Sequence, residues 1–248
     1  MNATFVLLEL RRVLRDYVSM FFIAVLPGFF YVIFGAATSF SEEGAGNGNV
    51  AMYVMISMAA YGAVTATTGI GGMAAVERMQ GWGRQLGLTP LRDGSYVAMK
   101  AAVALMIATI PVTLIYVLGL LTKAEGTATA WALSALLVLV GAGVFAIYGL
   151  AVGLAFRSEA AVSAASGLLV IMAFLGNIFI PLSGTLLTIA KFTPLYGYVA
   201  LARYPLTEGV QPDGSHEPLW IAVVNVTVWA AIFGVAATVL VRRGRERQ

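Results

Sequence analysis

Long runs without a charged residue dominate the hydrophobic pattern of this chain, and short polar segments separate them. At a rise of about 1.5 Å per residue, a run of about 20 residues crosses the roughly 30 Å hydrocarbon core of a bilayer. The pattern therefore predicts an all-α polytopic membrane protein with six transmembrane helices, at residues 17–40, 50–76, 98–122, 127–156, 160–180 and 219–241.

The first sixteen residues predict an amphipathic helix. At 100° per residue, Val6, Leu10 and Leu14 fall on one arc, whereas Glu9 and Arg12 fall on the opposite arc. Such a helix lies in the membrane interface with its arginines toward the headgroups. The alternative is a solvated, charged segment that leads into the first span, in which Pro27-Gly28 predicts a kink.

The stretch 181–205 is apolar but interrupted by prolines and glycines. Thr193-Pro194 is typical of a helix N-cap followed by proline at the first helical position. Irregular backbone at membrane depth has to be sheltered by protein. We therefore expect a re-entrant or interfacial hairpin on the outer side, between the fifth and sixth spans.

Composition agrees with a single membrane domain over 1–248. Hydrophobic residues make up 60 % of the chain and charged residues 11 %, whereas a soluble domain carries about 25 % charged residues. The basic residues flank the spans and form no patch that would bind nucleic acid. The first uncharged run is too long for a signal-peptide core, so we interpret it as a permanent span.

The basic residues also predict the orientation. With both termini on the cytoplasmic side, twelve Lys and Arg residues lie inside, and only Lys123, Lys191 and Arg203 lie outside. Cytoplasmic loops carry an excess of basic residues. We expect a multi-pass protein of the bacterial inner membrane, with residues 77–96 as its one substantial cytoplasmic connection.

The uncharged runs contain no Asp, Glu, His, Lys or Arg, which argues against a proton-driven transporter because such proteins keep ionisable groups inside the membrane. The chain has one histidine, no cysteine and no GxxxxGK[ST] phosphate-binding loop. We therefore predict no catalytic residue, cofactor or metal in this chain, and energy supplied by another polypeptide. Two alternatives are a passive channel or scaffold, and a lipid-modifying membrane enzyme that has only Lys191, Asp213, His216 and Glu217 available.

Small residues predict close helix packing. Gly149 and Gly153 form a GxxxG pair, and Ser163 and Gly167 form a second small-residue pair that suits packing within one subunit or across a dimer. The Gly69–Gly72 cluster is interpreted in the same way. A route for an amphipathic compound needs apolar walls with few polar groups, and the predicted substrate pathway comprises Met55, Met58, Thr65, Thr68, Phe174, Asn177 and Phe179.

Two segments resemble a known family. The first runs Glu77-Arg78, Gly81, Leu86, Thr89-Pro90 and Lys100, and the second runs Pro181, Phe192-Thr193-Pro194 and Arg203. With the six spans and inner termini, they are similar to the permease subunits of ABC-2 type ABC exporters, the group that includes the daunorubicin-resistance permeases. Trp82-Gly83-Arg84 departs from the family pattern, where an ordinary helical run is expected.

The resemblance implies a homodimeric or heterodimeric permease that works with two separate ABC ATPase subunits, which bind ATP and Mg. The second and fifth spans would face the partner permease. The implied function is export of a lipophilic or amphipathic, drug- or antibiotic-like compound, with lipid, glycan precursor or sodium as alternatives. Carried over from the family, the ATPase-coupling residues are Glu77, Arg78, Gly81, Gln85, Leu86, Thr89, Pro90 and Arg92.

Overall fold

A computed structural model describes residues 3–77, 93–156, 158–212 and 214–245, without the side chains of 3–5, 93–99 and 242–245. The described part is helical apart from a two-stranded antiparallel hairpin, β1 (Gly44–Ala45) and β2 (Gly48–Asn49). Its helices are α1 (Ala3–Leu14), α2 (Tyr17–Met20), α3 (Leu26–Tyr31), α4 (Val50–Glu77), α5 (Asp93–Leu121), α6 (Ala128–Phe156), α7 (Glu159–Leu175), α8 (Gly184–Ala190), α9 (Pro194–Thr207) and α10 (Leu219–Arg245).

Five helical stretches of the described residues are long and apolar enough to cross a membrane: Tyr17–Ala36, Val50–Glu77, Lys100–Leu121, Ala128–Phe156 and Leu219–Val241. The predicted span 160–180 is the 17-residue helix α7, which is shorter than expected. It ends early because Gly176 and Asn177 leave the helix, and Asn177 has a left-handed φ of 58°. The chain is a multi-pass all-α membrane protein, whose described part has five long spans and one shorter apolar helix.

The first predicted span, 17–40, is shorter and less regular than expected. Its helical part ends at Ala36, and π-helical segments at Phe21–Val25 and Val32–Ala36 flank α3. Pro27 lies in α3, where the kink was predicted. Asp16 caps α2 by accepting hydrogen bonds from the backbone N–H and the hydroxyl of Ser19 at 3.1 and 2.6 Å, and these bonds lower the pKa of Asp16. This cap separates α1 from the first span.

Helix α4 is the centre of the bundle. In its most apolar stretch 78 % of the residues are buried, compared with 11–39 % in the corresponding stretches of the other four long spans. The hydroxyls of Ser57, Thr65 and Thr67 donate to backbone carbonyls of α4 itself. Thr68 instead donates to Phe145 O of α6 at 3.4 Å. The first span, α5, α6 and α7 pack against α4, whereas α10 packs on α6 and α9. These helices leave large apolar side chains exposed on their outer faces.

Glycines bring α4 and α6 into backbone contact. A Cβ on Gly149 would overlap the carbonyl oxygen of Thr68, and one on Gly71 would overlap that of Ala146. Gly153 meets Gly72 O in the same way. Close packing is confirmed for Gly71, Gly72 and the GxxxG pair, within one subunit. It is wrong for Gly69, which has no atom within 4 Å of an added Cβ, as is also true of Gly167.

The predicted hairpin 181–205 consists of α8 and α9 and extends to Thr207. Thr193 occupies the N-cap position, but its hydroxyl donates to Ala190 O and does not cap α9. Asn225 of α10 donates to the carbonyl oxygens of Lys191 and Thr193 at 2.8 and 3.2 Å. Most of α9 is buried against the spans, so this segment is part of the helical body.

Candidate transport site

An ion-pair network lies at one end of the bundle. We call this end of the bundle the inner end, because the two helix ends that flank residues 78–92 lie there. Lys100 Nζ lies 2.6 Å from Glu9 Oε1 and 2.7 Å from Glu77 Oε2. Arg12 donates to Glu77 Oε1 at 2.7 Å. We call Glu9, Arg12, Glu77 and Lys100 the inner charge cluster. It joins α1 to the last residue of α4 and to α5.

The amphipathic pattern of α1 explains how the cluster forms. Val6 is buried, and Leu10 and Val13 pack against the core, which brings Glu9 and Arg12 of the same helix within reach of Lys100 and Glu77. Lys100 is only 5 % exposed, and a buried ammonium requires partners. The hydrogen bond that Arg12 donates to the Glu77 carboxylate raises the pKa of the guanidinium above its ordinary value.

A cavity of about 690 Å³ lies directly against this cluster. Its walls come from α1, residues 16–23, α4 and α7, and all four members of the inner charge cluster line it. Deeper in, the walls are apolar or carry hydroxyls, as at Thr65, Ile70, Ser166 and Val170. The cavity thus has a charged inner end and a mostly apolar body.

A second cavity of about 220 Å³ lies between α4, α5 and α6, and its wall is almost wholly apolar. Lys100 lines both cavities. Its side chain therefore stands between the larger chamber and a small apolar one, and the two carboxylates hold it in that position.

The predicted pathway residues occupy different places. Thr65 lines the large cavity. Met55, Met58 and Thr68 are fully buried among the helices. The remaining three lie at the outer end of α7 and just beyond it, where Phe174 is 46 % exposed, Asn177 is buried and Phe179 is partly buried. The pathway as a whole stays a prediction, and Thr65 is its member in contact with the cavity.

Most predicted coupling residues lie outside the described residues: Arg78, Gly81, Gln85, Leu86, Thr89, Pro90 and Arg92. Glu77 is described, and it belongs to the inner charge cluster. It therefore contacts other parts of this chain through both carboxylate oxygens. The coupling role of the segment remains a prediction.

A buried arginine fastens the hairpin at the opposite, outer end. Arg203 of α9 donates through Nε to Ser57 Oγ at 2.9 Å, through Nη1 to Tyr53 Oη at 2.8 Å and through Nη2 to Asn177 O at 2.8 Å. Its Cζ lies 3.9 Å from the centroid of the Tyr53 ring. No carboxylate of the described residues pairs with it, so its charge is balanced by dipoles and an aromatic face. Arg203 thus links α9, α4 and the segment after α7.

Two of the four groups considered for an enzyme, Lys191 and Glu217, form an ion pair. Glu217 Oε2 lies 3.0 Å from Lys191 Nζ and accepts a hydrogen bond from Tyr196 at 2.7 Å, whereas His216 is exposed. The pKa of the Tyr196 hydroxyl is raised, mainly by burial and in addition by the Glu217 carboxylate. Asp213 lies outside the described residues. Within the described part of the chain, no three His, Cys, Asp or Glu residues are grouped as metal ligands.

Sequence reasoning missed Glu9 as a site residue and placed Arg203 only in an outer segment. The signal for Arg203 is its spacing, because it follows Val199 by four residues and Leu195 by eight on one helical stripe. The signal for Glu9 is weaker, since an acidic residue on the polar arc of an interfacial helix is ordinary. Only the fold brings it to Lys100.

No family model matches this chain. Its sequence is similar to the "Putative transport permease YvfS" of Bacillus subtilis strain 168, with 26 % identity over 220 residues. The match covers 86 % of this chain and 88 % of that protein. This chain is therefore a multi-pass membrane protein that resembles a transport permease along most of its length.

Proposed function

We propose that this chain is the permease subunit of an ATP-driven ABC exporter that moves a lipophilic or amphipathic compound out of the cell. A separate ATPase subunit hydrolyses the ATP and docks on residues 77–96. Both termini then face the cytoplasm, and two permease copies form the transporter. The observation that carries the proposal is the cavity of about 690 Å³, whose charged end adjoins the coupling segment.

The shape of the cavity supports an amphipathic substrate. Its charged residues stand at one end, while hydroxyls and apolar groups line the rest. A compound with one polar end and an apolar body matches this distribution, because a buried polar group needs a hydrogen-bonding partner and an apolar group gains from leaving water. The similarity to a transport permease supports the same class of function.

The proposal is tested by reconstitution. The tagged chain is expressed in its source cells and purified together with any subunit that stays bound to it. The preparation is placed in liposomes with rhodamine 6G, a fluorescent phosphatidylethanolamine or ²²Na⁺ as separate probes. We expect an ATPase to copurify and rhodamine 6G transport to require ATP. Transport of the labelled lipid or of sodium alone would favour the alternative substrates. Uphill transport by the chain without an ATPase would overturn the proposal.

Filling the cavity is expected to reduce export. Gly69 lines the cavity and has no atom within 4 Å of an added Cβ, so Gly69→Leu places a side chain in the chamber without distorting the helices. We expect about a tenfold weaker apparent affinity for rhodamine 6G, which corresponds to about 1.4 kcal/mol of lost binding. Gly143→Leu is the control, because Gly143 is also open but lies outside this cavity. Equal effects of the two changes would contradict the assignment.

Reversing one charge in the coupling segment is expected to separate ATP hydrolysis from export. Glu77 is unsuitable, since its replacement also breaks the inner charge cluster. Arg78→Glu leaves that residue intact. We expect the reconstituted complex to retain ATP hydrolysis while rhodamine 6G export falls to background, with unchanged membrane insertion. Normal export by this variant would remove Arg78 from the coupling contact.

A further inference from the structure

We infer that the inner charge cluster is a gate, which closes the inner end of the cavity and opens when its ion pairs separate. The inference rests on the proposed function for the event that separates them. The positions of the four side chains that support the gate do not depend on which substrate is transported. The same four side chains that join three helices also form the inner wall of the cavity.

The position of the cluster along the chain connects it to the coupling segment. Glu77 immediately precedes residue 78, and α5 resumes at Asp93 and carries Lys100 two turns later. Glu9 and Arg12 are on α1, a separate element. Their contacts with Glu77 and Lys100 therefore lengthen when the ends of α4 and α5 move relative to α1.

Charge-assisted hydrogen bonds suit a switch because they are short and sensitive to distance. The bonds of Lys100 to Glu9 and Glu77 are 2.6 and 2.7 Å long, at the tight end of the usual range. The exposed fractions run from 5 % for Lys100 through 15 % for Glu9 and Glu77 to 63 % for Arg12. Partly exposed charges regain hydration when they separate, which offsets the lost attraction.

Thr65 offers a reporter inside the chamber. It lines the cavity twelve residues before Glu77, about 18 Å along α4. The chain has no cysteine, so Thr65→Cys creates a single reactive thiol. In the full chain in liposomes, its rate of modification by the cationic reagent MTSET and the anionic reagent MTSES, measured by mass spectrometry, reports access to the cavity.

Two gate variants are compared on the Thr65→Cys background. Lys100→Gln and Glu9→Gln each remove one side of the central ion pair but change the local charge in opposite directions. If the cluster is a gate, both variants speed both reagents by about tenfold, because an open state populated at about 10 % or less becomes the main one. Lys123→Gln, at an exposed ion pair of the outer end, is the control and leaves both rates unchanged.

Purely electrostatic effects give a different pattern. Lys100→Gln would then speed MTSET and slow MTSES, and Glu9→Gln would do the reverse. That pattern, or unchanged rates, overturns the gate. Should Lys100→Gln reduce the yield of monodisperse protein, Glu9→Gln answers the same question from a partly exposed position. The labelling needs no ATPase and no export, so a gate without transport would refute the proposed function and leave this inference standing.

Discussion

Arg203→Ala is expected to lower the stability of the folded protein by about 3 kcal/mol, which corresponds to a fall in melting temperature of about 6–12 °C for a chain of this size. The substitution leaves the Asn177 carbonyl, the Tyr53 hydroxyl and Ser57 Oγ without the donors that now satisfy them. Each unsatisfied buried group carries a desolvation cost of about 1–3 kcal/mol, partly offset by removal of the buried charge.

Thermal unfolding of the detergent-purified chain, followed by intrinsic fluorescence, measures this effect. Lys123→Ala is the matched control, because Lys123 is 48 % exposed and pairs with Glu42 at the same outer end. It is expected to cost less than about 1 kcal/mol. Arg203→Lys should recover little, since a single ammonium cannot reproduce the planar fork that reaches three partners. Equal melting temperatures for Arg203→Ala and Lys123→Ala would show that the buried arginine does not hold the hairpin.

Gly149→Ala and Gly143→Ala are expected to change stability in opposite directions, although both lie in α6. The methyl group at Gly149 would overlap the Thr68 carbonyl oxygen, which forces α6 away from α4. We expect a loss of about 3 kcal/mol, at the upper end of the range for an overfilled core. Gly143 has open space around it, so alanine there gains about 0.5–1 kcal/mol from its better helix propensity.

The same melting assay compares these two variants with the wild-type chain. Opposite signs of the temperature shift are the result that matters, because the chemical change is identical and only the surroundings differ. A stabilised Gly149→Ala would mean that α4 and α6 do not pack as closely as described. A destabilised Gly143→Ala would mean that another element covers Gly143.

The helical body was largely predictable because hydrophobic run length and span length are linked through the rise of the helix. The contact made by Gly149 and Gly153 was predictable for a similar reason, since small residues four apart mark close helix contacts. The same rule gave no such contact within the chain at Gly167, which has no atom within 4 Å of an added Cβ. Span 160–180 was predicted too long because Asn177 continues the apolar run in sequence while its left-handed backbone ends the helix. The hydrophobicity of a stretch of sequence carries no information about the backbone angle of one residue in it.

The inner charge cluster was beyond sequence reasoning for a different reason. Arg12 looked like an ordinary charge beside a span, explained by positive charge near the cytoplasm. The resemblance made Glu77 a coupling residue and Lys100 part of the family pattern, and neither was expected to pair with α1. Their pairing depends on the tertiary approach of α1 to α4 and α5. Arg203 was counted as an outer cation for the same reason, whereas it is almost fully buried.

The cluster also constrains the order in which the protein is made. Glu9 leaves the ribosome 91 residues before Lys100, so α1 has no ammonium partner until the chain from the third span has been translated. The N-terminal helix therefore completes its contacts with α5 only after the start of the third span has been translated. A nascent chain arrested before residue 100 would lack the contact that fixes its own beginning.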